Sequence, residues 1–222
     1  MTVSARIDAK VANRAMLSHP FYQAWTEGRL PLDTLRAYAR QYFHHVEAFP
    51  QAVSAVHSAC PDRAGRRMLA ENLAEEEGIG AGKQDHASLW LMFASGLGER
   101  EDGVRSQRLN PETRALIDTF RKLSRRSYPS GLGALYAYES QFPAVATAKI
   151  EGLIDRYGID DEPTLRFFRV HQSADVEHSS VCRGLLDRLP AEEQEEAVAA
   201  GEELAGALWN FLSGVEARAA IN

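Results

Sequence analysis

The chain has 222 residues, of which 45% are hydrophobic and 25% are charged, and its formal net charge is −6. That length fits one domain covering residues 1–222, with enough apolar residues for a sizeable core. The charge is acidic overall, and the lysines and arginines are scattered along the chain. This pattern argues against nucleic acid or an anionic membrane surface as a partner.

The chain carries no sign of export or of membrane insertion. Its first residues lack the apolar run of a signal peptide, and no stretch approaches 18 uninterrupted apolar residues. Cys60 and Cys182 are the only cysteines, and they have neither metal-ligand spacing nor a disulfide framework. We interpret both as small buried side chains and predict a cytoplasmic protein.

Apolar residues recur at three- and four-residue steps from position 32 onward, which predicts helices. Pro50 is expected to kink the first helix without ending it. No run of β-branched residues alternates with polar ones, so the predicted fold class is all-α, a bundle of seven or eight helices. The helices are predicted over Leu32 to Ala59, Asp62 to Glu77, Lys83 to Gly96, Pro111 to Arg126, Gly131 to Tyr157, Glu162 to Leu189 and Ala191 to Ala219.

A glycine-rich segment, Glu77 to Gly82, separates the second and third of these helices. Three glycines so close together disfavour a helix, so a loop or bulge is predicted here. A phosphate-binding loop is the rival interpretation. The segment lacks both the preceding strand and the Gly-Lys-Ser/Thr ending that such a loop requires.

The most informative motif is His171, Asp175 and His178. At 100° per residue, these side chains fall within an arc of about 60° on one helix face. The flanking sequence is apolar, so the motif is expected to face a core, where buried imidazole and carboxylate groups need a metal or a proton network. The alternative is a solvated stripe with an incidental hydrogen bond between His and Asp.

Further candidate ligands lie upstream. Glu76 and His86 flank the glycine-rich segment, and Glu139 lies in a mostly apolar and aromatic helix that Pro143 is expected to bend. Inward-facing carboxylates and histidines from several helices are typical of a dimetal site in a helical bundle. Ligation by oxygen and nitrogen without thiolate suits iron or manganese better than structural zinc.

These residues also carry a family resemblance. The chain resembles the CADD-like para-aminobenzoate synthases, a branch of the heme-oxygenase-like diiron oxidases that is similar in fold to pyrroloquinoline-quinone synthase and the TenA thiaminases. The likeness runs over most of the chain and is most specific around Lys149-Ile-Glu-Gly and the His171/Asp175/His178 motif. The motifs that carry it are His19 to Trp25, Leu35 to Tyr38, Ala48 to Pro50, Glu71 to Glu77, Tyr138 to Gln141, Lys149 to Gly152 and His171 to His178.

The resemblance implies a heme-oxygenase-like fold and a centre of two iron ions or an iron/manganese pair. It implies dioxygen and an external reductant as co-substrates. It also implies that Tyr22 supplies the aromatic ring of the product, that Lys149 supplies the amine, and that Tyr38 and Tyr138 are redox neighbours. The implied metal ligands are Glu76, His86, Glu139, His171, Asp175 and His178.

Two features of the sequence leave questions open. The interval between Glu76 and His86 is longer than the family's usual one, so Glu77 is an alternative to Glu76 and His86 is the least certain ligand. Lys149 follows Glu139 by ten residues, which is about 15 Å along a straight helix. The helix must therefore bend at Pro143, or the reacting ring must lie beyond the metal.

Three functions are compatible with these observations. The first is self-sacrificing synthesis of para-aminobenzoate for folate biosynthesis. The second is an oxidase or oxygenase of the same scaffold acting on an external small molecule. The third is a non-enzymatic metal-binding or interaction protein. The sequence leaves the oligomeric state open, a homodimer included.

Overall fold

The computed structural model describes residues 1–219 of the chain, and this part contains helices and no strands. A short 3₁₀ helix, Met16–Ser18, precedes α2. The α-helices are α1 (Val3–Ala12), α2 (Pro20–Thr26), α3 (Leu32–Ala59), α4 (Arg63–Glu76), α5 (His86–Gly96), α6 (Glu101–Arg105), α7 (Pro111–Arg126), α8 (Tyr128–Glu139), α9 (Phe142–Tyr157), α10 (Glu162–Leu186) and α11 (Ala191–Ala219). The all-α prediction is confirmed.

Aspartate caps position three helices that matter for the site. Asp62, Asp85 and Asp161 precede α4, α5 and α10, and each side chain accepts a hydrogen bond from a backbone N–H in the first turn. Such caps satisfy N–H groups that the helix itself leaves unpaired. The Asp85 cap also explains why α5 begins at His86 rather than at Lys83, where the sequence predicted it.

Helix α8 lies at the centre of the bundle. Its residues from Pro129 to Glu139 are all buried, and it packs against α7, α10 and α11. At Gly133 the backbone of α11 comes so close that a Cβ atom would lie 2.1 Å from the Ala197 carbonyl oxygen. The buried apolar side chains of the described residues form one continuous cluster around this helix.

The single helix predicted over residues 131–157 is wrong, because the chain breaks at Ser140 and Gln141 into α8 and α9. Pro143 explains the break, since it has no N–H to donate to the Glu139 carbonyl. The structure also contains α1, α2 and the five-residue α6, which were not predicted from the sequence. The helices are therefore more numerous than the seven or eight predicted.

Two local predictions are confirmed. Helix α3 runs through Pro50 without ending, and the glycine-rich segment is a loop in which Gly78, Gly80 and Gly82 all have positive φ. None of the described helices combines the length and the apolar character needed to cross a lipid bilayer.

Candidate metal centre

Helix α10 presents the His171, Asp175 and His178 side chains to the interior of the bundle. These side chains are only 2–6% exposed. His171 Nδ1 donates a 2.7 Å hydrogen bond to the Phe167 carbonyl oxygen. That bond leaves the lone pair of the other ring nitrogen, Nε2, free to bind a metal.

Glu76 and His86 meet because the glycine-rich loop turns the chain back on itself. Glu76 is the last residue of α4 and His86 the first of α5, and both are 3% exposed. Glu76 Oε2 lies 2.6 Å from His86 Nδ1, but that nitrogen makes no geometrically acceptable hydrogen bond. A carboxylate and an imidazole at this distance form an ion pair when the ring is protonated, and both are groups that bind metal ions.

The end of α4 and the start of α5 place Glu76 and His86 next to His171 of α10. One potential ligand atom each from Glu76, His86 and His171 lies within 4.8 Å of the others. The His86 and His171 rings are 4.2 Å apart between centroids. Burial and the neighbouring His86 together lower the pKa of His171 well below its usual value, so this imidazole is neutral at pH 7 and can donate a lone pair.

Charge balances within the same group. Burial lowers the pKa of His86, but the Glu76 carboxylate outweighs this effect, so the pKa of His86 is raised. Burial also opposes the charge on His178, yet the carboxylates of Asp175 and Glu139 raise the pKa of His178 to about 9. In the absence of a cation, protons on these imidazoles offset the buried negative charge.

Glu139 occupies the last position of α8, beside these residues. Its carboxylate accepts hydrogen bonds from Asn72 Nδ2 at 2.7 Å and from Cys182 Sγ at 3.2 Å. Burial raises the pKa of Glu139 to about 7, and burial likewise raises the pKa of Asp175 to about 6. Neither carboxylate has an Arg or Lys partner among the described residues, so only the neighbouring imidazoles or a bound cation can balance their charge.

Unpaired buried atoms support the same conclusion. His86 Nδ1, His178 Nδ1 and Asp175 Oδ2 are inaccessible to solvent and have no hydrogen-bond partner. Buried polar atoms without partners are unfavourable unless something satisfies them, and a metal ion does so for nitrogen and carboxylate oxygen alike. The residues present therefore fit a metal centre.

A second buried group, here called the tyrosine–lysine group, consists of Tyr22, Tyr38, Tyr42, Tyr138 and Lys149. The Tyr22 and Tyr38 hydroxyls are 3.2 Å apart, and Lys149 Nζ donates a 2.7 Å hydrogen bond to the Tyr38 hydroxyl. The Tyr42 and Tyr138 hydroxyls are 2.8 Å apart, and the Tyr38 and Tyr42 rings stack at 5.3 Å. The group extends from Tyr138, next to Glu139, to Tyr22.

Lys149 is fully buried in this group. Its Nζ lies 5.0 to 5.4 Å from the ring centroids of Phe168, Phe142 and Trp90. No carboxylate forms a salt bridge with it among residues 1–219. Burial lowers the pKa of Lys149 well below its usual value, which favours the neutral form of the amine.

The structure places all ten residues named from the sequence in the interior. Glu76, His86 and His171 converge, Asp175, His178 and Glu139 lie beside them, and the tyrosines and Lys149 form the second group. Because α8 and α9 are separate helices, Lys149 does not continue the helix of Glu139, and its Nζ lies 2.7 Å from the Tyr38 hydroxyl. Glu77 is exposed on the outer surface near Arg125, so the alternative to Glu76 is wrong.

Four residues of the site were not singled out from the sequence: Asn72, Glu75, Tyr42 and Cys182. Helical spacing could have identified three of them. Asn72 precedes Glu76 by four residues, Tyr42 follows Tyr38 by four, and Cys182 follows His178 by four, so each shares a face with a named residue. Glu75 carries no such signal.

A cavity of about 370 Å³ leads from the surface to the metal centre. His86 and Leu89 form its buried wall, while Lys83 and Arg166 are exposed around it. This cavity gives small molecules access to one side of the site.

The bundle with a buried cluster of carboxylates and imidazoles defines a class, the helical metal-dependent oxidoreductases. Residues 36–210 match the family described as iron-containing redox enzymes, and the chain belongs to that family. The solved structure of a domain with a heme oxygenase-like fold from Shewanella denitrificans has a TM-score of 0.80 with this chain at 18% identity, covering 96% of this chain and 92% of that one.

Two relatives make the comparison more specific. The chain is 40% identical over 209 residues to the 4-aminobenzoate synthase of Chlamydia pneumoniae, covering 93% of this chain and 92% of the relative. It is 38% identical over 226 residues to the 4-aminobenzoate synthase of Nitrosomonas europaea, covering 96% and 91%. The resemblance noted in the sequence is confirmed, and the chain is an oxidoreductase.

Proposed function

We propose that this chain is a dimetal oxygenase that makes 4-aminobenzoate from its own Tyr22 ring and Lys149 nitrogen. Dioxygen is the oxidant, and an external reductant supplies electrons. The single observation that carries the proposal is the environment of Lys149, which is fully buried among aromatic rings without an acidic partner. A lysine kept for structure alone is normally paired when it is buried.

The chemistry of the product explains why a tyrosine and an amine are needed together. 4-Aminobenzoate carries a carboxyl carbon and a nitrogen at opposite ends of a benzene ring. A tyrosine side chain carries Cβ and oxygen at the same two positions. Conversion therefore requires that the Cα–Cβ bond breaks and that dioxygen oxidises Cβ to a carboxylate. It also requires that the phenol oxygen leaves as water and that the nitrogen taking its place is released by cleavage of the Lys149 Cε–Nζ bond.

Lys149 is suited to supply that nitrogen. Its Nζ lies 5.5 Å from the centroid of the Tyr22 ring and 4.9 Å from that of Tyr38. Burial lowers the pKa of Lys149 and so favours the neutral amine, whose lone pair a charged ammonium group lacks. Lys149 is thus both close to the ring and in the reactive protonation state.

Tyr38 connects the two reacting side chains. Its hydroxyl oxygen accepts the hydrogen bond from Lys149 Nζ and lies 3.2 Å from the Tyr22 hydroxyl. This position lets Tyr38 hold or pass a proton between the amine and the phenol. Burial raises the pKa values of Tyr22 and Tyr38, so both remain protonated at neutral pH.

Six residues hold the two metal ions in this proposal: Glu76, His86, Glu139, His171, Asp175 and His178. The unpaired buried atoms of His86, Asp175 and His178 support this assignment. Iron, or iron with manganese, supplies the ability to reduce dioxygen. Tyr138 directly precedes Glu139 in the last turn of α8, so the tyrosine–lysine group begins beside the proposed ligands.

The surrounding rings exclude water from the reacting groups. Trp25, Trp90 and Phe142 are each fully buried around Lys149. A dry aromatic enclosure protects reactive oxidised species from side reactions with solvent. It also keeps the lysine amine neutral.

A second candidate function is oxidation of an external small molecule. The cavity that reaches His86 supports it, because a substrate of modest size could approach the metal centre there. That function requires the six ligands but does not consume Tyr22 or Lys149. The two candidates therefore differ in whether the chain itself changes.

The test measures product and intact protein mass after incubation of the purified protein with ferrous iron, with or without manganese, a reductant and air. Self-sacrifice predicts at most one 4-aminobenzoate per chain and a loss of mass from the chain. Tyr22→Phe abolishes product, while the matched control Tyr157→Phe, a tyrosine whose hydroxyl accepts from Leu30 N, retains it. Product with no change in mass contradicts the proposal.

A further inference from the structure

Glu75, the residue before the proposed ligand Glu76, contacts two partners with its two carboxylate oxygens. Oε2 lies 2.9 Å from His178 Nε2, and Oε1 accepts a 2.8 Å hydrogen bond from Lys83 Nζ. The Glu75 side chain is 37% exposed, whereas that of His178 is 8% exposed. Glu75 thus joins a solvent-exposed lysine to a buried imidazole.

The contact with Glu75 determines which nitrogen of His178 faces the site. A carboxylate oxygen only accepts hydrogen bonds, so Nε2 of His178 must carry the hydrogen. In the neutral imidazole the lone pair then lies on Nδ1. That atom is buried, has no hydrogen-bond partner, and lies 3.5 Å from Asp175 Oδ1.

We propose that Glu75 is a positioning residue for the metal centre. It fixes the ring orientation and tautomer of His178 so that Nδ1 faces the ion, and Lys83 holds Glu75 in place. Carboxylates in contact with the outer nitrogen of a metal-binding histidine act in this way. The inference rests on the metal centre of the proposed function and is independent of whether Tyr22 and Lys149 are consumed.

The glycine-rich loop explains how Lys83 reaches Glu75. Gly78 has a φ of +66°, and a Cβ atom there would lie 2.3 Å from the backbone nitrogen of Asp85. Only glycine permits this close approach together with the left-handed conformation. The loop therefore folds tightly between α4 and α5, and it returns Lys83 to the end of α4. The loop between Glu76 and His86 thus supplies the lysine that holds Glu75.

Glu177 provides a matched control. It is exposed, lines the same cavity as Glu75, and precedes His178 directly in the sequence. It makes no salt bridge or side-chain hydrogen bond within residues 1–219. Removing Glu177 subtracts the same charge near the site without removing a contact to His178, so it separates positioning from a general electrostatic effect.

The experiment titrates metal-free protein with Co²⁺ and follows the visible absorption of the bound ion, which reports affinity and ligand geometry together. We expect Glu75→Ala to weaken Co²⁺ binding by roughly 10- to 100-fold and to change the absorption spectrum. Glu75→Gln should recover part of the affinity, because its amide oxygen still accepts from His178 Nε2. Glu177→Ala should remain within about twofold of the parent.

Lys83 is tested through its coupling to Glu75. Lys83→Met should weaken Co²⁺ binding by about two- to fivefold in the parent, as expected for a partly exposed ion pair, and have no effect in the Glu75→Ala background. Circular dichroism and thermal unfolding of the metal-free variants check that each one folds. Parent-like affinity and an unchanged spectrum in folded Glu75→Ala, or an equal loss in Glu177→Ala, would overturn the proposal. Additive effects of Lys83→Met and Glu75→Ala would show that Lys83 does not act through Glu75.

Discussion

Lys149 Nζ donates a 2.7 Å hydrogen bond to the hydroxyl of Tyr38, and this bond joins a buried amine to a group of stacked phenols. The amine has no salt-bridge partner among the described residues, and aromatic rings surround it. The arrangement costs stability whenever the amine is charged. In the proposed function, this lysine serves the chemistry and not the stability of the fold.

Substitution of Lys149 separates stability from chemistry. Lys149→Met replaces the amine with an apolar side chain of similar length, so we expect a free energy of unfolding at pH 7 that equals or exceeds the parent's. Lys149→Arg retains a charge that cannot be removed, and it should destabilise the fold by several kcal/mol. Urea unfolding measures both. Neither variant should release 4-aminobenzoate, and a product-forming Lys149→Met would exclude the lysine as nitrogen donor.

The buried amine also predicts a pH dependence of stability. The pKa of Lys149 in the folded protein lies well below the ordinary value of 10.5. Between these two values the unfolded chain binds a proton that the folded chain does not, so the parent becomes more stable as pH rises. Relative to Lys149→Met, its free energy of unfolding should increase by up to about 1.4 kcal/mol per pH unit. This pH dependence should level off above pH 10.5, and a difference between parent and variant that is constant below pH 10.5 as well contradicts a lowered pKa of Lys149.

Glu139 should give a pH dependence of stability with the opposite sign. Burial raises its pKa from 4.5 to about 7, so the folded protein binds more protons than the unfolded chain in that window. The metal-free parent therefore loses stability as pH rises through it. Glu139→Gln lacks this loss and should be the more stable protein above pH 7, by at most about 3 kcal/mol.

Urea unfolding in the presence of a chelator measures this difference. The same variant should bind less metal and make no product. A Glu139→Gln protein that is strongly destabilised at pH 8 would show that Glu139 is held by a structural interaction instead.

Adjacent glutamates at the end of α4 provide a direct comparison. Glu76 is buried against His86, whereas Glu77 is exposed. Glu76→Gln should lower the iron content of purified protein severalfold, because it weakens one proposed ligand. Glu77→Gln should leave the iron content unchanged. Elemental analysis measures the iron content of both variants, and equal losses would contradict the assignment of Glu76 as the ligand.

Periodicity predicted the parts of this molecule that depend on local sequence. The helix carrying His171, Asp175 and His178 follows from residue spacing, and so does their common face. The loop between Glu76 and His86 follows from its glycines. The break before α9 was expected only as a bend, because the sequence does not show whether Pro143 distorts a helix or divides it.

Long-range contacts could not be predicted in the same way. The bond between Glu75 and His178 joins helices that are far apart in sequence, and Glu75 lies off the inward face of α4. The stacking of Tyr38 on Tyr42 follows their helical spacing, but the hydroxyl contact from Tyr42 to Tyr138 depends on how α3 packs on α8. The approach of Lys149 to Tyr38 likewise depends on the packing of α9.

The source of the product ring tests the central proposal most directly. Protein expressed with ring-labelled tyrosine is purified, supplied with iron, reductant and air, and given no aromatic precursor. Self-sacrifice predicts fully labelled 4-aminobenzoate at no more than one molecule per chain. It also predicts no product from Tyr22→Phe and normal yield from Tyr157→Phe. Unlabelled product, or sustained turnover of an added substrate, would contradict self-sacrifice and favour the external-substrate oxidase.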